Sequence, residues 1–193
     1  VLSPLVAAAT DGEPTRSVAD AVVRDTTVED AADFYRAFEH VDVAVDEPPE
    51  GMEPLDVRRG GDAVPALRER DLTLFDIMER SDDVDGVAAE WTGGFRRVFD
   101  AAESILADNG PVPDRASRAF VELLADEIDT FVVTRNGRTA AEEVRRRAQA
   151  VIDGGEAAEE LAEELVGRDI NPGTTADVVA GALFVALERG LVV

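Results

Sequence analysis

The chain has 193 residues, 42 of them acidic and 19 basic, for a formal charge of −23. Every basic residue is Arg, and Lys and Cys are both absent. This composition excludes a disulfide framework, a thiolate nucleophile and Cys-bound zinc, and its acidity opposes broad binding to nucleic acid or anionic lipid, which require a cationic surface.

The same charge points to a halophilic protein. In dilute solution it repels itself, whereas ions shorten the Debye length to roughly 3 Å at 1 M and remove the penalty. Hydrophobic residues make up 45% of the chain but aromatic residues only 5%, so Val, Ala, Leu and Ile must fill the interior. No uninterrupted apolar run approaches the roughly 20 residues that span a bilayer, and no basic region precedes the apolar opening, so the cytoplasm is the expected location. One compact domain over residues 1–193 is expected from the length.

Helical signals recur along the chain, and no set of alternating strands is evident. After the apolar opening, residues 14–24 read as a helix. Thr26 or Thr27 caps the next, with Glu29 and Asp30 in its first turn, an apolar face of Val28, Ala31, Phe34, Tyr35 and Phe38, and an end near His40. Residues 41–61 contain Pro48, Pro49, Gly51 and Pro54 and read as an extended connection. Residues 62–70 form a short helix in this reading, and Thr73 with Asp76 signals the start of another carrying Leu74, Ile77 and Met78.

From 84 to 107 the apolar residues Val87, Trp91, Phe95, Val98, Phe99, Ala102 and Leu106 keep one helical period across Gly93 and Gly94. Asn109-Gly110-Pro111 punctuates the chain before a helix opened by Pro113 or Asp114, which runs through Phe120, Leu124, Ile128 and Phe131 to Val133. Residues 139–152 and 157–166 are further helices, and Thr174 or Thr175 caps the last. The expected fold is all-α, a compact layered bundle of many helices.

Two constellations bear on chemistry. In Asn171-Pro172-Gly173-Thr174-Thr175-Ala176-Asp177, Gly173 allows close approach to the backbone, the helix start attracts anions and the two Thr supply hydroxyls. Asp177 either holds Mg²⁺ beside a phosphate or simply matches the helix dipole. In the second, Asp126, Asp129 and Thr130 share a helical face, with Arg135 and Arg138 just beyond its end. That set is either a metal and phosphate site or a solvated acidic face with a cationic cap. His40 reads as a cap and Trp91 as a core anchor, and Arg145-Arg146-Arg147 points in several directions around a helix and makes no nucleic-acid patch.

The stretch Asn171-Pro172-Gly173-Thr174-Thr175-Ala176-Asp177, followed by Ala182-Leu183-Phe184, resembles the C-terminal signature of the triphosphoribosyl-dephospho-CoA synthase family. Asp129-Thr130 and Arg135-Asn136-Gly137 are similar to the segment that precedes it in that family. The stretch from Thr26 to Phe38 and Glu90-Trp91-Thr92-Gly93-Gly94-Phe95 resemble its archaeal branch, in haloarchaeal-like form. The Lys-Pro-Gly and Asn-Thr motifs with which family members begin are absent, so by this resemblance the chain is either the C-terminal part of a longer family domain, the product of a misplaced start or a naturally shortened relative.

The resemblance implies an all-α enzyme that moves a triphosphoribosyl group from ATP, with Mg²⁺, to 3′-dephospho-CoA or a related nucleotide and releases adenine. It implies catalytic and metal or ribose contacts at Asp129 and Asp177, and nucleotide contacts at Thr130, Arg135, Gly137, Asn171, Gly173, Thr174 and Thr175. A non-catalytic nucleotide-binding or assembly protein on the same scaffold is the alternative. The sequence leaves the oligomeric state open.

Overall fold

A computed structural model describes residues 1–10, 12–40 and 53–193, so most of the expected connection at 41–61, including Pro48, Pro49 and Gly51, lies outside the described residues. Every regular element among the described residues is helical, as expected of an all-α chain. In chain order these are α1 (Leu2–Ala8), α2 (Arg16–Arg24), α3 (Val28–Ala37), α4 (Val64–Glu69), α5 (Leu74–Glu79) and α6 (Gly86–Thr92). They continue as α7 (Arg96–Ala107), α8 (Val112–Asp126), α9 (Thr130–Asn136), α10 (Arg138–Ile152), α11 (Ala158–Gly167) and α12 (Gly173–Glu188).

Local signals set several starts where expected. Thr27 and Asp30 form a reciprocal capping box at α3, and Thr73 and Asp76 form another at α5. The apolar helix α12 packs along α7 and beside α1, with Val178, Ala182, Val185 and Ala186 buried in the same cluster as Val98, Phe99 and Leu5. Gly181 permits this approach, since a Cβ there would come within 2.8 Å of Val1 and 3.1 Å of Leu5. A second, smaller cluster gathers Leu124, Val132, Val144, Ala148, Leu161 and Leu165 from α8 to α11. Helix α8 belongs to both, through Ala119 on one side and Leu124 on the other.

Three expected elements are divided or moved. The single helix over 84–107 breaks at Gly94 and Phe95, which both take left-handed backbone with φ of 66° and 56°. The Phe95 N–H turns back to the Glu90 carbonyl at 2.7 Å, and the Phe95 side chain is fully buried. Core burial of that ring offsets a conformation that costs an L-residue about 1–2 kcal/mol. The helix expected over 113–133 ends at Asp126, and extended Glu127 leads to a new start in which Asp129 caps α9 by accepting from the Val132 N–H at 3.0 Å. Asp126 and Asp129 therefore do not share a helical face, because a short carboxylate side chain competes with the backbone for the same N–H groups. Arg135 accordingly lies in the last turn of α9 and Arg138 opens α10. Finally, α12 begins at Gly173 with Pro172 at its cap, which places Thr174 and Thr175 inside its first turn.

Candidate active site

The starts of α6, α9 and α12 meet at one junction. Asp85 opens α6 by accepting from the N–H groups of Val87 and Ala88 at 2.7 and 3.2 Å, leaving the Gly86 N–H to donate to Thr130 Oγ1 at 2.9 Å. Thr130 Oγ1 lies 3.0 Å from Thr174 Oγ1, which also accepts from the Phe131 N–H at 3.3 Å. Asp129 completes the arrangement: beyond its Val132 contact, its Oδ2 accepts from both the N–H and the hydroxyl of Thr175, each at 2.8 Å. Asp129, Thr174 and Thr175 are all nearly fully buried.

Each helix start carries the positive end of a backbone dipole and N–H groups without an intrahelical acceptor. Asp129 is the buried carboxylate that answers this polarity, with three donors on its two oxygens. Close approach is achieved by glycine. A Cβ on Gly86 would fall 2.7 Å from Thr174 Cγ2, and one on Gly173 would fall 2.9 Å from the Phe131 ring.

Asn171, Asp177, Arg135 and Gly137 are exposed, the first two flanking the start of α12 and the last two at the far end of α9 from Thr130. No hydrogen bond or ion pair engages the Asp177 or Arg135 side chain among the described residues, although most Arg residues elsewhere are paired. Gly137 has φ of 86° and lets α9 turn directly into α10. The structure thus brings Asp129, Thr130, Thr174 and Thr175 into one bonded network and leaves Asp177 and Arg135 outside it. Gly86 was missed by sequence reasoning; the signal was Asp85-Gly86, a capping acid followed by a residue that tolerates close approach.

Among the described residues one groove lies elsewhere, about 190 Å³ between α7 and α8, lined by Arg96, Arg97, Asp100, Glu122 and Asp126. Its carboxylates outnumber its cations, and both Arg residues already pair with Glu127. A polyphosphate is poorly matched to it.

Residues 1–192 match the model of the CitG family, ATP:dephospho-CoA triphosphoribosyl transferase. The chain belongs to this family. A crystal structure from Archaeoglobus fulgidus, described as a triphosphoribosyl-dephospho-CoA synthase, superposes with a TM-score of 0.79 at 23% identity, over 98% of this chain and 80% of that one. At that identity the likeness establishes the shared fold. No curated protein sequence matches the chain.

As a triphosphoribosyl transferase the protein handles a polyanionic donor and a nucleotide acceptor. No group of three His, Cys, Asp or Glu side chains able to hold a metal occurs among the described residues. No described helix is long and apolar enough to cross a membrane.

Proposed function

We propose that the junction of α6, α9 and α12 is where the protein transfers the triphosphoribosyl group of ATP to the ribose of 3′-dephospho-CoA. The observation carrying this reading is the Asp129–Thr175 clamp, which unites two segments 46 residues apart that both resemble the family's motifs. In the reaction a bond forms between an acceptor ribose hydroxyl oxygen and C1′ of ATP while the C1′–N9 bond breaks. The hydroxyl loses its proton, and adenine departs with the bonding pair and takes up a proton.

The residues divide by exposure. Asp177, which accepts no hydrogen bond among the described residues and attracts the Val1 ammonium, would hold Mg²⁺ carried by the triphosphate and offset positive charge developing on the ribose. Arg135 and Asn171 contact phosphate oxygens, and Gly137, whose N–H is given to the Val133 carbonyl at 2.9 Å, serves the nucleotide by turning α9 into α10 beside Arg135. Asp129 is buried with three donors on its two oxygens, so its part is to fix the helix starts. Thr130, Gly173, Thr174 and Thr175 share that part, with Gly173 keeping the approach to α12 open. The halophilic setting belongs to the same proposal and rests on the excess of 42 acidic over 19 basic residues, the archaeal one on the resemblance of Thr26 to Phe38 and Glu90 to Phe95 to that branch, and the cytoplasmic one on the lack of any long apolar run.

The test is adenine release from ATP in multimolar KCl with Mg²⁺, with and without 3′-dephospho-CoA. Acceptor-dependent release that falls by about a hundredfold in Asp177→Asn and Arg135→Ala supports the reading. ATP-dependent thermal stabilisation with no release, from folded protein, would instead identify a nucleotide-binding protein.

A further inference from the structure

The junction is held from behind by a buried ion pair whose carboxylate, Glu90, opens one family-like segment and whose cation, Arg97, lies beyond it. Glu90 and Arg97 face each other where α6 and α7 fold back on one another, with side chains 4% and 10% exposed. Arg97 uses its whole guanidinium: Nε donates to Glu90 Oε1 at 2.7 Å, Nη1 to Glu127 Oε2 at 3.0 Å and Nη2 to the Gly86 carbonyl at 2.9 Å. The second Glu90 oxygen accepts from the Val98 N–H at 3.2 Å, which leaves Glu90 satisfied.

Burying a charged pair is seldom stabilising relative to an apolar pair of similar size, so its presence calls for a geometric reason. The contacts supply one. Gly86, whose carbonyl Arg97 holds, is the residue whose N–H fixes Thr130 Oγ1, and Thr130 in turn fixes Thr174. Glu127, held by the other arm, stands two residues before Asp129 on the short turn between α8 and α9. One planar fork therefore sets two of the three helix starts, through Gly86 for α6 and through Glu127 for α9. A Lys in its place would keep the charge but lose the fork.

We infer that Arg97, oriented by Glu90, is the positioning residue of the active site, holding the Gly86–Thr130–Thr174 chain and the Asp129 turn in register without touching substrate. The kinetic consequence rests on the functional reading above, whereas the structural one does not. The test compares wild type, Arg97→Lys, Glu127→Gln and, as a distant control, Arg168→Lys, by amide hydrogen exchange and by adenine release at saturating ATP.

In Arg97→Lys, exchange at the Gly86, Val132 and Thr175 amides accelerates by about tenfold or more while α2 and α11 amides keep their protection. The turnover number falls by about tenfold to a hundredfold with KM for ATP nearly unchanged. Glu127→Gln shows the same pattern more weakly, and it carries the test should the Lys variant not fold. The control changes neither readout. Uniform acceleration across all helices, or unchanged exchange at the three junction amides, would overturn the inference. Absence of adenine release from wild type together with the selective exchange pattern would overturn the reaction assigned to the junction and leave Arg97 as its brace.

Discussion

Thr175 is where the chemistry of single atoms matters most. Its hydroxyl and N–H both donate to one oxygen of a buried carboxylate, and hydrogen bonds to charged groups are worth about 1.5–3 kcal/mol. Thr175→Val keeps the shape and removes one donor, so it should lower unfolding free energy by about 2 kcal/mol in denaturant titrations at constant high salt. The same change in an exposed Thr should be nearly silent. The residue types at this site were legible from the sequence, because Asn-Pro-Gly-Thr-Thr before an apolar run marks a helix start. Their tasks were not. Asp129 and Thr175 are joined across 46 residues, and no local pattern reports which carboxylate turns inward and which, like Asp177, stays at the surface.

At the scale of elements, caps and breaks decide the architecture. The Thr27 hydroxyl and N–H, both donating to Asp30, hold its carboxyl below the usual range. A carboxyl depressed by folding stabilises the folded state above its unfolded pKa, near 3.9, and that contribution disappears as pH falls through the lower folded value. Thr27→Ala should therefore cost about 1 kcal/mol near neutrality. The gap between variant and wild type should narrow in acid-unfolding curves as Asp30 protonates, without closing, because the Asp30 N–H donates to the Thr27 hydroxyl oxygen at any pH.

The break between α6 and α7 is governed by backbone conformation. At Gly94 a Cβ would meet nothing nearer than Asp20 at 3.8 Å, so Gly94→Ala isolates the cost of the left-handed backbone at φ of 66°. The expected loss is about 1–2 kcal/mol, read as a lower melting temperature with an unchanged helical signal. The two capping boxes were readable because their partners are three residues apart. This break was not, since Phe95 keeps the apolar helical period while its backbone leaves the helix to place the ring in the core. The end of α8 was hidden in the same way by Ile128 and Phe131, which continue the period past a true stop.

For the molecule as a whole, charge and packing set different conditions. With a formal charge of −23 and ion pairs that are largely solvent-exposed, such as Arg68–Glu29 and Arg168–Glu143, self-repulsion is the main unfavourable electrostatic term at low salt. Raising KCl from about 0.1 M to about 2 M should raise the melting temperature even as it weakens those surface pairs. A melting temperature that falls over this range would count against the halophilic reading. The all-α class was evident from helical periodicity, whereas the division into two apolar clusters depends on which face of α8 meets which neighbour. That division gives the junction a mechanical meaning. Val132 of α9 belongs to the smaller cluster and Val178 of α12 to the larger, and the Asp129–Thr175 bonds stitch one to the other. A ligand bridging these two helix starts would act as a rivet between the two clusters, so that occupancy of the site tightens the seam where they meet.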